Sequence, residues 1–243
     1  MLALERPQFN SYRLQARWLG LVPYEEAYRI QLFYHARCHA GEIPDQLLLL
    51  EHPTVFTIPR RSEKTNILVP EEFLKRKGAH TCPTDRGGEI TLHNPGQLVG
   101  YLICRLEPGR GDLHVFLRWI EHSLQEVAAS FGVETCLKKG FTGVWAGEKK
   151  LASIGIAVKR WVTLHGFGLN AANDLEPFTW VHPCGLVGVQ MTSLEKEAGS
   201  SISREKLLEE VCRVFGAEWV ATGGLEGQDF PVPDPPGSPR QHL

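Results

Sequence analysis

The stretch Gly143-Val-Trp-Ala-Gly-Glu-Lys-Lys-Leu-Ala-Ser-Ile-Gly-Ile-Ala-Val-Lys-Arg-Trp-Val-Thr-Leu-His-Gly-Phe-Gly-Leu169 holds three apolar segments that are separated only by short turns. The segments 143–146, 151–159 and 162–169 have the composition of three successive strands. Turns of this length leave no room for a crossover helix, so a sheet built from these strands is not purely parallel. This part of the chain therefore predicts a mixed sheet.

On both sides of this stretch, strand patterns alternate with helix patterns. Further strands are expected at 12–19, 46–51, 55–58 and 97–106. Helices are expected at 24–40, at about 70–78, at 112–131 and at 203–215. Thr192-Ser-Leu-Glu195 matches a capping box before another short helix. The pattern predicts an α/β or α+β fold, in which helices flank a mixed β-sheet.

Composition and charge indicate one folded domain that does not bind nucleic acid. Of the 243 residues, 42% are apolar and 22% are charged, which is enough for a real core. Lys plus Arg number 26 and Asp plus Glu number 28, so the formal charge of −2 lacks the surplus that phosphate binding needs. From 223 the chain is rich in Gly and Pro. We predict a folded domain over 1–222 and a disordered tail over 223–243.

The sequence favours a cytoplasmic protein without a membrane segment. The first seven residues carry a charge pair and a proline instead of the apolar core of a secretory signal. No stretch approaches the ~20 apolar residues of a membrane span. The cysteines are scattered and form no C-x-x-C pair, so we expect reduced thiols and neither a disulfide framework nor a metal site. They are Cys38, Cys82, Cys104, Cys136, Cys184 and Cys212.

Three segments carry residues suited to chemistry. In 85–97, paired glycines beside Arg86 would let the backbone approach a ligand, and Thr91 and His93 would share one face of an extended segment. In 147–156, small residues follow Lys149 and Lys150 and leave room for a ligand beside a lysine. In 180–186, Cys184 lies between a proline and a glycine, which favours a thiol on a tight turn. Each feature alone is also compatible with a structural role.

Together, these segments resemble the lipoyl(octanoyl) transferases, enzymes that move an octanoyl group from acyl carrier protein to lipoyl domains. The resemblance covers roughly residues 12 to 215 and also includes Tyr24, His52 and Tyr101. The motifs that carry it are Arg86-Gly-Gly-x-x-Thr-x-His93, Pro95-Gly-Gln-Leu-Val99, Thr142-Gly-Val-Trp145, Lys150-x-Ala-Ser-Ile-Gly155, His165-Gly-x-x-Leu-Asn170 and Pro183-Cys-Gly185.

The resemblance implies a fold, a reaction and a set of site residues. The fold would be that of the biotin and lipoate protein ligases, and the domain over 1–222 would be catalytic. Cys184 would carry an acyl thioester with Lys150 as its basic partner, and no cofactor or metal is implied. The residues that would line the acyl site are Arg86, Gly87, Gly88, Glu89, Ile90, Thr91, Leu92, His93, Ser153, Ile154, Gly155, Gly166, Phe167 and Gly168.

The implied partners are octanoyl-acyl carrier protein as donor and two kinds of acceptor: the lipoyl domains of 2-oxo-acid dehydrogenase complexes and the H protein of glycine cleavage. Acyl carrier protein is acidic, so basic side chains near the site are candidates for steering it. These are Arg60, Arg61, Lys64, Lys138, Lys139 and Lys149. The chain departs from the family pattern at three positions. Pro59 and Asn94 stand where the family usually has glycine, and Leu102 stands where it usually has proline.

Three other functions are compatible with the sequence. A lipoate–protein ligase would share the fold but would activate free acid with ATP. A hydrolase of the Cys–His type could use His182, His165 or His93 as its base and would release free octanoate. A carrier-binding protein without catalysis would form no thioester. His35 and His39 could share a helix face, but no carboxylate ligand accompanies them, so a metal site is not favoured.

Overall fold

The computed structural model describes residues 13–60, 62, 66–106, 113–181 and 189–221. Its helices are α1 (Tyr24–His39), α2 (Glu71–Arg76), α3 (Leu113–Ser130), α4 (Leu194–Ala198) and α5 (Arg204–Phe215), with a 3-10 helix at Glu176–Trp180. Its strands are β1 (Leu14–Leu21), β2 (Asp45–Glu51), β3 (Val55–Pro59), β4 (His80–Thr84), β5 (Thr91–His93), β6 (Gln97–Ile103), β7 (Cys136–Lys138), β8 (Phe141–Ala146), β9 (Lys149–Lys159), β10 (Val162–Asn170) and β11 (Ala217–Trp219).

In the described ranges, eight strands form the main sheet in the order β11-β1-β2-β6-β10-β9-β8-β7. Strand β1 runs parallel to β2 and β11, whereas each remaining pair of neighbours is antiparallel. The three strands predicted at 143–146, 151–159 and 162–169 are the adjacent antiparallel strands β8, β9 and β10. The prediction of a mixed sheet flanked by helices is confirmed.

Strand β2 shows how both faces of the main sheet are covered. Leu47 and Leu49 pack into the core that α3 and α5 contribute to, whereas Leu48 and Leu50 pack with residues of α1. All four side chains are fully buried. A strand buried on both faces needs apolar residues at successive positions, which explains the uninterrupted run Leu47–Leu50.

A second sheet of three strands lies beside the main sheet, in the order β4-β3-β5. Strand β3 pairs parallel with β4 and antiparallel with β5. Phe56, Leu74 and Trp180 bring β3, α2 and the 3-10 helix into one apolar cluster. This small sheet positions the segment 85–93, which faces the main sheet across the functional cavity.

Most long elements match the sequence predictions, and the differences have local causes. The predicted capping box at Thr192 is wrong, because Ser193 caps α4 by accepting a hydrogen bond from the Lys196 N–H. The Thr192 N–H instead donates to the backbone oxygen of Lys150, and its hydroxyl donates to Glu197. Strand β5 matches the extended segment expected at Thr91 and His93. Strands β4, β7 and β11 were not predicted, since they have three to five residues and no extended alternating pattern.

None of the helices in the described ranges combines the length and apolar character of a membrane span. The described side chains also contain no group of three or more His, Cys, Asp or Glu placed to hold a metal ion. The tail predicted at 223–243 lies outside the described residues and stays a prediction.

Candidate active site

A cavity of about 290 Å³ opens between the segment 85–93 and strands β9 and β10. Small residues on the two strands leave the space, and aromatic and polar side chains close it. The residues that line the cavity are Tyr24, Arg86, Gly88, Glu89, Thr91, His93, Tyr101, Gly140, Phe141, Thr142, Lys150, Ser153, Ile154, Gly155, His165, Gly166, Phe167 and Gly168.

Most residues that the sequence assigned to the acyl site line this cavity, and three do not. Ile90 and Leu92 are fully buried in the apolar cluster of the small sheet. Alternation along the strand explains this, because it sends Thr91 and His93 toward the cavity and Leu92 away from it. Gly87 does not line the cavity. Its N–H donates a hydrogen bond to the Ile156 oxygen at 2.9 Å and so ties the loop to β9.

Several lining residues were missing from the predicted site. Tyr24, Tyr101, Thr142 and His165 belong to the motifs of the family resemblance, so a signal for them was present. Gly140 and Phe141 precede one of these motifs and carried no signal. Phe141 is 44% exposed and therefore forms part of the cavity mouth.

Arg86 builds the loop that forms one wall of the cavity. Its guanidinium donates to the hydroxyl and the backbone oxygen of Thr57, at 2.8 and 3.1 Å. It also donates to the backbone oxygens of Gly87, at 3.0 Å, and Glu89, at 2.7 Å. Such planar, multiple hydrogen bonding is the property that distinguishes arginine from lysine. Arg86 thus shapes the loop as well as placing a positive charge beside the cavity.

Lys150 lies inside the site and Lys149 outside it. Lys150 is only 3% exposed and lines the cavity. Lys149 points to the other side of β9, where its ammonium pairs with Glu197 at 3.2 Å. Adjacent residues on a strand face opposite sides, so the fold selects one member of the lysine pair.

Cys184 and His182 lie outside the described residues, but both flanks of their segment are described. Before it, Val181 forms a β-bridge with Ile67. After it, the Lys150 N–H donates to the Gln190 oxygen at 2.8 Å, and the Thr192 N–H donates to the Lys150 oxygen at 2.9 Å. The chain that follows Cys184 is therefore hydrogen-bonded to the backbone of Lys150.

A hydrogen-bond chain behind the cavity fixes the protonation of His93. Gln97 donates through Nε2 to the Leu92 oxygen, at 3.1 Å, and to Asn170 Oδ1, at 2.8 Å, so its own Oε1 faces His93 Nδ1 at 2.6 Å. Nδ1 must then carry the hydrogen. Burial lowers the pKa of His93 well below its ordinary value. His93 is therefore neutral near pH 7, and Nε2 is the nitrogen left to accept a hydrogen bond from a ligand.

His52 is neutral for a related reason. Its Nδ1 donates to the Val22 oxygen, so its Nε2 accepts from the Tyr101 hydroxyl at 2.7 Å. Burial lowers the pKa of His52 to about 4, although the hydrogen bond to Val22 opposes the shift. The Tyr101 hydroxyl hydrogen is thereby committed to His52, and its oxygen is left as an acceptor.

Asp85 joins the cavity wall to the helix side of the main sheet. Its carboxylate accepts from His165 Nε2 at 2.8 Å and from the Tyr28 hydroxyl at 2.8 Å, and it pairs with Lys159. Burial by itself would raise the pKa of Asp85. The hydrogen bonds from His165 and Lys159 have the larger, opposite effect, so the pKa of Asp85 lies below its ordinary value. His165 itself has a φ of 63°, which is uncommon outside glycine.

None of the described cysteines, and none of the three departures from the family pattern, is among the residues that line the cavity. Burial raises the pKa of the Cys38 and Cys82 thiols to about 12 and that of Cys212 to about 11, which makes poor nucleophiles. Cys136 is exposed, and Cys104 is buried. Asn94 bridges two neighbouring chain segments through hydrogen bonds to Asn173 and Asp174. Leu102 is fully buried in the main core, and Pro59 ends β3.

The neutral state of His52 predicts that the protein loses stability in acid. The unfolded chain binds a proton near the ordinary pKa of 6.5, whereas the folded chain binds it only near 4, so the free energy of unfolding falls as pH drops through this window. The contribution of His52 is about 3 kcal/mol, at about 1.4 kcal/mol per pKa unit. Urea unfolding at several pH values should show a shallower acid dependence in His52→Gln, which keeps a donor and an acceptor. An unchanged dependence would contradict the assignment.

The loop-building role of Arg86 predicts that Arg86→Lys loosens the segment 85–90. An ammonium group cannot reproduce the contacts with Thr57, Gly87 and Glu89. Amide hydrogen exchange of peptides covering this segment should quicken by about tenfold or more, since local opening becomes easier. Arg160→Lys, in the exposed β9–β10 turn, is the matched control and should leave the segment unchanged. Equal exchange in both variants would exclude the role.

Comparison with known proteins shows the family to which the chain belongs. Residues 23–216 match the family model of the lipoyl protein ligase A/B catalytic domain. An octanoyltransferase of Geotalea uraniireducens is 46% identical over 196 residues, which are 81% of this chain and 87% of that protein. An octanoyltransferase of Maridesulfovibrio salexigens is 45% identical over 201 residues, 83% of this chain and 92% of that one.

Solved structures confirm the predicted fold. A structure from an archaeal lipoylation system, a bi-partite lipoate protein ligase and its E2 lipoyl domain from Thermoplasma acidophilum, superposes with a TM-score of 0.65 at 14% identity. The match covers 86% of this chain and 88% of that one. A lipoate-protein ligase A bound with ATP gives a TM-score of 0.66 at 14% identity, with 86% and 89% covered. The chain belongs to the lipoyl protein ligase A/B catalytic-domain family and, within it, to the octanoyltransferases.

Proposed function

We propose that this protein transfers an octanoyl group from acyl carrier protein to a lysine of a lipoyl domain, through a thioester on Cys184. The chain is an acyltransferase by family membership, and its relatives of about 45% identity are octanoyltransferases. The donor, the thioester and the roles of single residues go beyond these relationships. The H protein of glycine cleavage and the lipoyl domains of 2-oxo-acid dehydrogenase complexes are the proposed acceptors.

The reaction has two acyl transfers. In the first, the Cys184 thiolate attacks the octanoyl thioester of the carrier, a new carbon–sulfur bond forms, and the carrier thiolate leaves. In the second, the amine of the acceptor lysine attacks the Cys184 thioester, an amide forms, and the Cys184 thiolate leaves. A thiolate suits both steps because it is a good nucleophile and a good leaving group.

Lys150 moves the protons that these steps require. A free thiol with a pKa of ~8.5 is mostly protonated at neutral pH. Lys150 takes the Cys184 proton, or holds the thiolate as an ion pair, and then protonates the departing carrier thiolate. In the second half it accepts the proton that the lysine nucleophile loses.

The single observation that carries the proposal is the position of Lys150. The side chain is buried against the cavity, and its backbone is hydrogen-bonded to Gln190 and Thr192 in the chain that follows Cys184. A buried lysine that lines a cavity is a candidate for acid–base chemistry, so this position supports a chemical role. It also supports a site in which lysine and cysteine belong to one unit.

The cavity suits a medium-length acyl chain. Glycines on β9 and β10, together with Ile154 and Phe167, provide an apolar wall that is open enough for a chain to lie along it. Burial of an octanoyl chain contributes about 0.8 kcal/mol per methylene, so roughly 5 kcal/mol in all. His93 and Tyr101 offer acceptor atoms on the other wall, which suits the N–H groups of a pantetheine arm or of an incoming lysine.

Two of the basic residues considered for steering the donor are exposed, namely Arg60 and Lys139. Lys138 pairs with Glu148 and Lys149 pairs with Glu197, so their charges are partly compensated. Arg61 and Lys64 lie outside the described residues. We propose that Arg60 and Lys139 contribute most to attraction of an acidic carrier, an effect that salt should weaken.

Intact-protein mass spectrometry after incubation with octanoyl-carrier tests the reaction. The wild-type protein should gain one octanoyl group, and Cys184→Ala should gain none and transfer nothing to a lipoyl domain. Cys136→Ala is the matched control, because Cys136 is exposed and should not be used. Octanoyl transfer by Cys184→Ala at the wild-type rate would refute the thioester. Free octanoate in the presence of acceptor would favour the hydrolase, and dependence on ATP would favour the ligase.

The role of Lys150 is tested by alkylation of Cys184 with iodoacetamide as a function of pH. Lys150→Ala should lose the reactivity of the wild type at low pH, and its transfer rate should fall by about 100-fold or more, since proton transfer typically contributes this much. Lys149→Ala should keep both properties, because Lys149 lies on the outer face with Glu197. Lys150→Arg should not rescue transfer. The reverse pattern between the two alanine variants would assign the role to Lys149.

A further inference from the structure

The side chain of Lys150 has a defined wall on the side of Trp145. The Lys150 ammonium nitrogen lies 5.5 Å from the centroid of the Trp145 ring, within the range of a cation–π interaction. Trp145 lies opposite Lys150 in the β8–β9 pairing and is itself only 3% exposed. A flexible side chain with four methylenes needs such walls to keep its ammonium in one place.

Gly143 forms a second wall. A Cβ atom at this position would lie 2.7 Å from Lys150 Cε and 2.5 Å from the Ala152 oxygen. The backbone also has a φ of 130°, which disfavours residues other than glycine. The backbone of Gly143 is therefore in direct contact with the end of the lysine side chain, and any larger residue would displace it.

A buried carboxylate on the helix behind the sheet holds this second wall. Glu121 of α3 is 1% exposed, and its Oε1 accepts from the Gly143 N–H at 2.9 Å. Its other oxygen accepts from Arg118. The β8–β9 register shifts between Val144 and Trp145, so the sheet by itself does not hold this part of β8 in regular pairing. A carboxylate buried at such a position needs partners, and one of its partners is this backbone.

We propose that Trp145 is a positioning residue for Lys150, and that its ring and the Gly143 backbone, held by Glu121, form the groove that keeps the ammonium in the cavity. The catalytic consequence rests on the proposed function, in which Lys150 serves Cys184. The ring also contacts Lys138 at 4.5 Å, but Lys138 is paired with Glu148 at 2.7 Å. Trp145 thus lies between Lys138, whose charge is compensated by Glu148, and Lys150, which lines the cavity.

The groove is tested without reference to activity, by acetylation of lysines with a small reagent and localisation by peptide fragmentation. In Trp145→Leu, labelling of Lys150 relative to Lys149 should rise by about fivefold or more, because the freed side chain becomes more accessible. Trp145→Phe keeps an aromatic face and should stay within about twofold of wild type. Trp119→Leu is the matched control, since it removes a buried indole that packs on Phe116 and Phe215 instead.

The Glu121 part of the groove has its own pair of variants. Glu121→Gln keeps an oxygen that can accept from the Gly143 N–H, so Lys150 labelling should stay near the wild-type value. Glu121→Leu removes the acceptor and should raise labelling by about fivefold, as Trp145→Leu does. An increase in both variants or in neither would exclude positioning through this hydrogen bond.

Transfer kinetics connect the groove to the reaction. In Trp145→Leu, kcat should fall by about tenfold or more with an unchanged KM for octanoyl-carrier, and Trp145→Phe should recover most of it. Trp119→Leu, with a similar loss of stability by urea unfolding, should keep the wild-type kcat. If the wild-type protein transfers no octanoyl group, the proposed function is wrong. The acetylation of Lys150 relative to Lys149 still tests whether the groove holds the lysine side chain. If Trp145→Leu leaves Lys150 labelling unchanged, the groove is refuted whatever the activity.

Discussion

The hydrogen bond from the Gly87 N–H to the Ile156 oxygen is the contact on which the site depends. It ties the loop after β4 to the main sheet, and the two sheets enclose the cavity on either side of it. The approach is so close that a Cβ on Gly155 would lie 2.6 Å from the Gly87 oxygen. Arg86 stabilises the same loop from within. A side chain at 155 would therefore push the loop away from β9, whereas a Cβ on Gly87 would lie 3.1 Å from the Ile156 oxygen, which is tight.

The electrostatics of the cavity follow from burial. Imidazoles removed from water lose their proton, so His52 and His93 act as neutral hydrogen-bonding groups of fixed tautomer. The Asp85 carboxylate, in contrast, keeps its charge, because Tyr28, His165 and Lys159 hydrogen-bond or pair with it. The buried lysine and the neutral imidazoles are compatible with the proposed function, in which Lys150 would transfer protons and His93 would orient the substrate.

The sequence predicted the fold well where long apolar patterns exist and poorly where contacts join distant segments. The strands β8 to β10 follow from one stretch of sequence. Alternation predicts that only one of Lys149 and Lys150 faces the site, and the family resemblance selects Lys150. The partnership of Asp85 with His165, 80 residues apart, leaves no local trace. The burial of Ile90 and Leu92 was not predicted, because the family resemblance assigned the whole run 86–93 to the acyl site. The shared face of Thr91 and His93 already implied that Leu92 points the other way. Glu121 lies in the helix predicted at 112–131, and no motif singled it out.

The pairing of β9 carries a consequence for how the chain avoids misassembly. Lys150 is opposite Trp145 on one side and forms a parallel bridge with Met191 on the other. A slip of one residue would turn Lys149 inward, and it would also break the hydrogen bonds to Gln190 and Thr192 and separate Lys149 from Glu197. Two adjacent lysines create an ambiguity that local sequence cannot resolve during folding. In the native register these hydrogen bonds and the ion pair form together, and the slipped register loses all of them. A chain with Lys149 inside therefore also lacks the contacts that complete the native fold.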